Sequence, residues 1–365
     1  MRIVIKVGTN VLRAGTQGIH RPRLIDIARQ IARLSEAGHE VILVSSGAIF
    51  AGHELLGVTP ASQKKDIPYK QVLAAVGQGR LLALYQQIFD MYNLVVAQAL
   101  LTRGDLANRT RYLNARNTLQ LSLKHKVIPI INENDVVAVD EIKFGDNDNL
   151  SGLVANLVDA DLLIILTDQP GLFTADPRFQ TDAQLIREVP IIDDTIRAMA
   201  GGSSGDIGTG GMITKIEAAE LATRSGTEVV IAPGSEPDSI LRIINGEALG
   251  TRFLTQISRV ESRKRWLLAE ATRGAVTIDD GAAAALTRRR KSLLVVGVTR
   301  ISGEFNRGAP ICVLNSQGDE IGRGLANYNS KDLQAICGKR SDQIAEILGY
   351  EYGPTAIHRD NLVMG

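Results

Sequence analysis

The sequence is poor in the residues that mark several functional classes. Only two of its 365 residues are cysteine, Cys312 and Cys337, which excludes a disulfide framework and a cysteine-based zinc site and favours a reducing compartment. The net charge of +1 gives no overall field that would attract nucleic acid or a membrane surface. No apolar run is long enough for a signal peptide or a membrane span. We therefore expect a cytoplasmic protein, long enough for two domains.

The first 250 residues alternate short apolar runs with helical patterns. Runs that are apolar almost throughout are typical of strands buried on both faces, and strands alternating with helices predict an α/β fold with a mainly parallel sheet sandwiched by helices. In such sheets the ligand lies beyond the carboxyl ends of the strands. The runs are RIVIKV (2–7), VILVS (41–45), LVVAQ (94–98), VIPII (127–131), LLIIL (162–166) and EVVIA (228–232).

The pattern changes after about residue 250. A charged stretch, ESRKRW at 261–266, indicates a linker, and a β-rich pattern with a hairpin turn at Asn315–Asp319 follows it. A unit of this size is a plausible small second domain. We therefore predict a main domain over 1–250, a linker over 251–273, a small β-rich domain over 274–353 and a C-terminal tail over 354–365.

Several predicted strands end in residues suited to binding anions. Lys6 ends the first run and Gly8 follows it, a strand-to-helix turn that can bind phosphate, although a lysine reaching solvent would look the same. Ser46 and Gly47 follow the second run, where a simple helix cap by Ser45 or Ser46 is the alternative. Neither turn decides the function alone.

The glycine-rich segment 201–215 ends in Lys215 and leads into a predicted helix. A glycine-rich loop before a helix with a lysine in its first turn favours binding of nucleotide phosphates, with a flexible linker as the alternative. Because phosphoryl transfer needs cations and positioning rather than covalent chemistry from the protein, Lys6, Lys215 and Mg²⁺ together would suit it.

The stretch EIKFGDNDNLS at 141–151 concentrates aspartate and asparagine at the start of a predicted helix. A calcium loop of the EF-hand type is excluded because Leu150 and Ser151 stand where that loop needs an oxygen ligand and a glycine. A helix cap, a polar turn and a substrate-binding cluster remain possible readings of these residues alone.

Taken together, these segments resemble the amino acid kinase family, and within it the branch that phosphorylates glutamate. The resemblance extends over nearly the whole chain. It is carried by IKVGTN, VSSGAI, QALLTRGD, YLNARNTL, INENDVV, KFGDNDNLS, LTDQPGLFTADPR, GTGGMITK and LGYEYGP. The part beyond about residue 274 resembles a PUA domain.

The resemblance implies transfer of the γ-phosphate of ATP to the side-chain carboxylate of L-glutamate, the first step of proline biosynthesis. It further implies Mg²⁺, inhibition by proline and a homo-oligomeric dimer or tetramer. Lys6, Lys215 and Asp148 would be catalytic, with Asp148 organising the two lysines, and no side chain would ligate a metal. Glutamate would be bound by Ser46, Gly47, Asp135 and Asn147. ATP would contact Lys6, Gly8, Thr167, Asp168, Thr209, Gly210, Gly211, Met212, Ile213, Thr214 and Lys215.

Two alternatives remain at this stage. A kinase of N-acetylglutamate or aspartate would share the fold and the lysines, but an N-acetylated substrate would leave Asp135 without an ammonium partner. The PUA resemblance allows an RNA-associated role, which the scarcity of aromatic residues, with Trp266 the only tryptophan, disfavours.

Overall fold

The structure is a computed structural model that describes residues 1–57, 66–140, 147–201, 211–255, 258, 261, 267, 271–289 and 291–364. The chain divides into two compact units. Unit 1 comprises Met1–Leu106 and Ala115–Arg259, and unit 2 comprises Ala107–Asn114 and Val260–Gly365. The short segment at 107–114 thus groups with the C-terminal part of the chain, whereas the sequence placed it in the main domain.

Unit 1 is built on an eight-stranded sheet, as the alternating pattern predicts. The strands are β1 (Arg2–Val7), β2 (Glu40–Ser45), β3 (Val96–Leu101), β4 (Ile128–Glu133), β5 (Leu162–Thr167), β6 (Glu188–Val189), β7 (Glu228–Pro233) and β8 (Thr251–Phe253). Their order is β3-β4-β2-β1-β5-β7-β8-β6, and neighbouring strands pair in parallel except β7 and β8, so β8 and β6 run opposite to the others. All six predicted runs form strands, of which β3 and β4 begin two residues and one residue later than their apolar runs.

Helices cover this sheet, and their apolar residues fall on the side that faces it. In α2, for example, Leu24, Ile27 and Ile31 are almost completely buried. The helices of the described residues up to 255 are α1 (Thr9–Arg13), α2 (Arg21–Glu36), α3 (Ala48–Leu56), α4 (Ile67–Asp90), α5 (Arg103–Ala107), α6 (Arg109–Lys124), α7 (Asn147–Val158), α8 (Asp194–Ala200), α9 (Met212–Thr223) and α10 (Ser239–Ile244).

Two glycines allow unusually close packing between helices near the sheet's carboxyl edge. A Cβ atom at Gly77 of α4 would lie 1.8 Å from the carbonyl oxygen of Ala48 in α3. A Cβ atom at Gly152 of α7 would lie 2.9 Å from the carbonyl oxygen of Ala218 in α9. Because real side chains do not approach so closely, only glycine permits these spacings, which bring the first turns of α7 and α9 together.

One short strand, β8, lies just beyond the predicted boundary at residue 250. Thr251 and Phe253 are fully buried in β8, which pairs with both β7 and β6. Three residues are too few to show a hydrophobic period, so the sequence pattern did not distinguish this strand from the start of the predicted linker.

Unit 2 contains a five-stranded sheet of order β11-β9-β12-β13-β15 and a two-stranded sheet of β10 and β14. Its predicted hairpin is present, since β12 and β13 pair antiparallel around Asn315–Asp319. The elements are β9 (Ala275–Ile278), α11 (Asp280–Arg289), β10 (Leu293–Leu294), β11 (Val298–Ser302), β12 (Pro310–Leu314), β13 (Glu320–Leu325), α12 (Ser330–Ile336), α13 (Ile344–Leu348), β14 (Thr355–Ile357) and β15 (Leu362–Met364).

The predicted tail over 354–365 is part of this second unit rather than an appendage. Strand β14 pairs with β10, and β15 pairs with β13 at the edge of the larger sheet. Ala356 and Ile357 are fully buried in the unit's core. The tail's apolar residues are too few and too scattered by polar ones to mark strands in the sequence.

None of the helices in the described ranges is both long and apolar enough to cross a membrane.

Candidate active site

A cavity of about 410 Å³ opens at the carboxyl edge of the sheet in unit 1. It lies where a parallel sheet places its ligands, beyond the ends of β1, β2, β4 and β5. Nine of the residues predicted from the sequence line it, although they come from six separate segments. These are Lys6, Gly8, Ser46, Gly47, Asp135, Asn147, Thr167, Asp168 and Lys215.

Two lysines share one carboxylate beside this cavity. Lys6 Nζ lies 2.7 Å from Asp148 Oδ1, and Lys215 Nζ lies 3.1 Å from Asp148 Oδ2. Asp148 is fully buried in the first turn of α7, and both lysines are almost completely buried. The arrangement holds two ammonium groups at the cavity wall with a single carboxylate between them.

Burial and charge act against each other in this trio. Burial alone would raise the pKa of Asp148, but the attraction of Lys6 and Lys215 and their hydrogen bonds lower that pKa below its usual value. Burial lowers the pKa of Lys215, and the attraction of Asp148 only partly offsets it. Asp148 is therefore a carboxylate at neutral pH and serves to hold the lysines rather than to exchange protons.

The start of α9 supports the same carboxylate. Thr214 Oγ1 donates to Asp148 Oδ2 over 2.7 Å, so this residue contacts Asp148 although the resemblance implied a contact with ATP. Gly211 precedes the helix, and its carbonyl oxygen lies 3.5 Å from Lys215 Nζ. Met212 and Ile213 open the helix without lining the cavity. Thr209 and Gly210 lie outside the described residues.

A second set of buried polar groups is built from amides. Asn147 Nδ2 donates to Ser46 Oγ over 3.0 Å and to Asn132 Oδ1 over 2.8 Å. Asn132 Nδ2 donates in turn to Gln78 Oε1 in α4 over 2.9 Å. Two of the predicted glutamate-binding residues, Ser46 and Asn147, are thus joined through Asn132 to a helix on which the sequence indicated no functional residue.

The turn after β2 depends on glycine and on a buried tyrosine. Gly47 has φ 106°, a left-handed conformation that favours glycine, and α3 begins directly after it. Ser45 Oγ and Tyr85 Oη form a 2.8 Å hydrogen bond in the core, and burial raises the pKa of Tyr85. Nothing in the sequence pattern marked Tyr85 or Gln78, because both occupy ordinary positions of a buried helix.

The carboxyl end of β5 brings Thr167 and Asp168 to the cavity wall. Thr167 Oγ1 donates to Asp168 Oδ1 over 3.1 Å, and Asn10 Nδ2 donates to Asp168 Oδ2 over 2.9 Å. Asn10, which the sequence left without a role, therefore positions a predicted nucleotide-binding residue across 158 positions of chain.

Asp135 stands in the loop after β4 and is 5% exposed. The loop is fixed to α4, since Gln71 Nε2 donates to the carbonyl oxygens of Asp135 and Val136. Two further residues of the stretch at 141–151 are Asp146 and Asn149. Asn149 Nδ2 donates to Glu217 Oε2 and so connects α7 with α9, whereas Asp146 lies outside the described residues.

The cavity wall also contains three basic residues that the sequence did not single out, Arg13, His53 and Lys70. The guanidinium of Arg13 lies 4.7 Å from the centre of the Phe50 ring. None of the three follows a strand directly, so reasoning from strand ends could not find them. Together with Lys6 and Lys215 they outnumber the two carboxylates of the lining, Asp135 and Asp168, so the cavity suits an anionic ligand.

A match to the model of the amino acid kinase family over residues 1–233 decides the family. The chain belongs to the amino acid kinase family. All cavity residues of this amino acid kinase lie within the matched segment. A PUA domain model matches residues 274–348, which lie in unit 2.

Curated relatives of this amino acid kinase match over its full length. The glutamate 5-kinase of Deinococcus radiodurans is 54% identical over 100% of both chains. Glutamate 5-kinases of Herpetosiphon aurantiacus and Sodalis glossinidius are 53% and 50% identical, and the matches cover 98% of each relative and at least 99% of this chain. A solved UMP kinase from Bacillus anthracis is more distant, with 20% identity, a TM-score of 0.48 and coverage of 70% of this chain and 96% of its own.

Proposed function

We propose that this amino acid kinase transfers the γ-phosphate of ATP to the side-chain carboxylate of L-glutamate, giving L-glutamyl 5-phosphate, the first step of proline biosynthesis. The observation that carries the proposal is the pair of buried ammonium groups, Lys6 and Lys215, held on Asp148 at the wall of a basic cavity. The names and full-length identity of the curated relatives support glutamate as the acceptor.

The two sides of the cavity suit the two substrates. Ser46, Gly47, Asp135 and Asn147 are proposed to bind glutamate, with the carboxylate of Asp135 as the partner of its ammonium group. Gly8, Thr167, Asp168 and the start of α9 are proposed to bind ATP. Lys6 and Lys215 line the same cavity and are proposed to contact the transferred phosphoryl group.

The chemistry needs no general base from the protein. A side-chain carboxylate oxygen of glutamate is already ionised at neutral pH and attacks the γ-phosphorus, forming one P–O bond while the bond to the β-phosphate oxygen breaks and ADP leaves. No proton moves. Lys6 and Lys215 would stabilise the negative charge on the transferring group and on ADP, and Asp148 would keep both lysines in place.

Mg²⁺ fits this site as a companion of ATP. Within the described residues no three histidine, cysteine, aspartate or glutamate side chains are grouped so that they could hold a metal ion. Mg²⁺ usually keeps several waters and takes substrate phosphates as ligands, so it needs no such cage. Bound with ATP, it would neutralise charge on the phosphate oxygens.

An assay of ADP release with glutamate, N-acetylglutamate and aspartate offered in parallel tests the proposal. We expect turnover with glutamate to exceed the others, because an N-acetyl group removes the ammonium partner of Asp135 and aspartate holds its carboxylate one methylene too short. Hydroxylamine should trap the acyl phosphate as a hydroxamate. Preferred turnover of either competitor, or ADP release without hydroxamate, would overturn the proposal.

Proline and self-association complete the proposal. Proline carries an ammonium and a carboxylate but no second carboxylate, so it can occupy the glutamate half of the cavity without reacting. Inhibition that glutamate relieves would support this, and inhibition unaffected by glutamate would contradict it. We also propose a homodimer or homotetramer, which size measurement in solution tests.

The second unit is proposed as a PUA domain that extends from about residue 274 through β15. We propose that it modulates the kinase rather than reading RNA. Filter binding of RNA to the full chain at low and high salt tests this, since non-specific contacts to phosphate weaken steeply with salt. Tight binding that persists at high salt would contradict the proposal.

A further inference from the structure

Gln78 is buried behind the cavity wall and does not line it. Its Oε1 accepts a hydrogen bond from Asn132, which bonds Asn147, which bonds Ser46. We propose that Gln78 is a positioning residue that acts through this relay to keep the Ser46 hydroxyl a donor towards a carboxylate of the substrate. The inference rests on the proposed function, since it names how that same site recognises an amino acid.

The direction of every bond in the relay is set by one backbone group. The N–H of Glu133 donates to Asn132 Oδ1 over 2.9 Å, and a backbone N–H can only donate. The atom it meets must therefore be the oxygen of the Asn132 amide. The other end of that amide is then a nitrogen, which requires an acceptor, and Gln78 Oε1 supplies it at 2.9 Å.

The same logic fixes Asn147 and then Ser46. Asn132 Oδ1 has two lone pairs and accepts a second bond, so the atom of Asn147 that faces it at 2.8 Å must be the nitrogen. Asn147 Nδ2 has two hydrogens, and the second goes to Ser46 Oγ at 3.0 Å. Since Ser46 Oγ accepts this bond, its own hydrogen is left to donate into the cavity.

An ionised carboxylate can only accept hydrogen bonds, so a serine hydroxyl that donates is complementary to it. Without an acceptor at position 78, Asn132 Nδ2 would be a buried donor lacking its partner, so the Asn132 side chain would shift to reach another acceptor. Its bond with Asn147 Nδ2 would then weaken, and the donor that faces Ser46 would be displaced. Gln78 thus acts on the substrate only through other residues.

The test compares Gln78→Met, which keeps the volume and removes the acceptor, with Gln78→Glu, which keeps an acceptor oxygen. We expect Gln78→Met to raise KM for glutamate about 10- to 100-fold, the effect of losing one hydrogen bond to a charged group. KM for ATP should stay within about twofold of the unmodified value, and Gln78→Glu should restore most of the glutamate affinity.

Gln30→Met is the matched control. Gln30 is also buried in unit 1, donates to Asp26 and accepts from the backbone N–H of Ile240, and it does not line the cavity. We expect it to lower the melting temperature without changing KM for glutamate. If Gln78→Met left KM for glutamate unchanged, or impaired the kinetics of both substrates equally, the relay would be refuted.

A double-mutant cycle of unfolding tests the relay independently of activity. Gln78 and Asn147 both bond Asn132 and should therefore be coupled. We expect the unfolding equilibrium constant of the double variant Gln78→Met/Asn147→Ala to differ by about fivefold or more from the value obtained by multiplying the effects of the two single variants. Purely multiplicative effects would overturn the inference. If the unmodified chain showed no turnover with glutamate, the proposed function would fail while this cycle would still decide the relay.

Discussion

Both units of this kinase bury charged side chains, but they satisfy them in opposite ways. In unit 2 the guanidinium of Arg307, 7% exposed, lies 3.6 Å from the centre of the Tyr352 ring, and its Nε donates to the carbonyl oxygen of Asn327. In unit 1 two buried ammonium groups, of Lys6 and Lys215, share the one carboxylate of Asp148 beside an open cavity.

The buried charge of Arg307 is satisfied by groups of the fold itself, whereas the two lysines lie at a cavity that is proposed to bind an anionic ligand. Arg307 is surrounded by neutral acceptors and an aromatic face, which hold a delocalised guanidinium well without any further anion. The lysines at Asp148 carry more positive charge than their shared partner balances. Burying such an imbalance is costly, so an anionic ligand would stabilise it.

The strongest test of this comparison is to remove the lysines. We expect Lys6→Met and Lys215→Met each to lower turnover with glutamate by about 10²-fold or more, the effect of deleting one group that stabilises developing charge. ADP release in the presence of saturating substrates measures the loss.

Lys124→Met is the control for these variants, because Lys124 is exposed at the end of α6 and lies outside the cavity wall. Its turnover should be unchanged. Near-normal turnover of either Lys6→Met or Lys215→Met in a folded protein would remove that lysine from the mechanism.

A smaller effect on turnover is expected from replacing Asp148, the shared partner of the two lysines, by asparagine. The lowered pKa of Lys215 means that its charge is lost as pH rises through a value below the usual 10.5, so kcat/KM for glutamate should fall there. Asp148 raises the pKa of Lys215 by its attraction. Asp148→Asn should therefore lower turnover at neutral pH and move the alkaline fall of kcat/KM to lower pH.

Profiles of kcat/KM against pH for the two proteins check this expectation. An alkaline limb that stayed in place, or moved to higher pH, would show that Asp148 does not control the charge of Lys215.

Removing a neutral group from the same cavity should affect binding rather than turnover. We expect Asn147→Ala to raise KM for glutamate about tenfold, because it deletes the donor that orients Ser46, while turnover at saturating glutamate changes little. Steady-state kinetics with each substrate varied in turn measures this. A fall in turnover at unchanged KM would place Asn147 with the charged trio instead.

The least effect on activity is expected from the buried charge of unit 2. Arg307→Lys keeps the charge but loses the planar stack on Tyr352, and we expect the free energy of unfolding to fall by about 1–2 kcal/mol. Kinetics with glutamate and ATP should be unchanged. Urea unfolding and the ADP assay together check both halves, and a kinetic defect at wild-type stability would contradict the comparison.

The sequence was sufficient for the sheet and for the residues at its strand ends. Runs such as RIVIKV and LLIIL are buried on both faces, and their polar successors meet at one edge because parallel strands align their carboxyl ends. The family resemblance, rather than spacing, assigned Lys6, Ser46 and Asp168 to one site, and all three line the cavity. Asp148 pairs with both lysines, and its role in catalysis stays a prediction.

What the sequence could not reveal depends on contacts between distant helices. Gln78 and Tyr85 look like any polar or aromatic residue in a buried helix, and only the close packing of α3 and α4 through Gly77 brings that helix against the cavity wall. The strands β8, β14 and β15 have three residues each, too few for a periodic signal, so the sequence did not indicate them.

The backbone N–H of Glu133 orients the relay from Gln78 through Asn132 to Asn147, and this donor does not depend on the side chain at position 133. Every amino acid except proline provides that donor, so a substitution at position 133 can change the side chain and still keep the hydrogen bond that orients Asn132. Of the twenty amino acids, only proline at position 133 would remove the donor that orients Asn132 in the proposed relay.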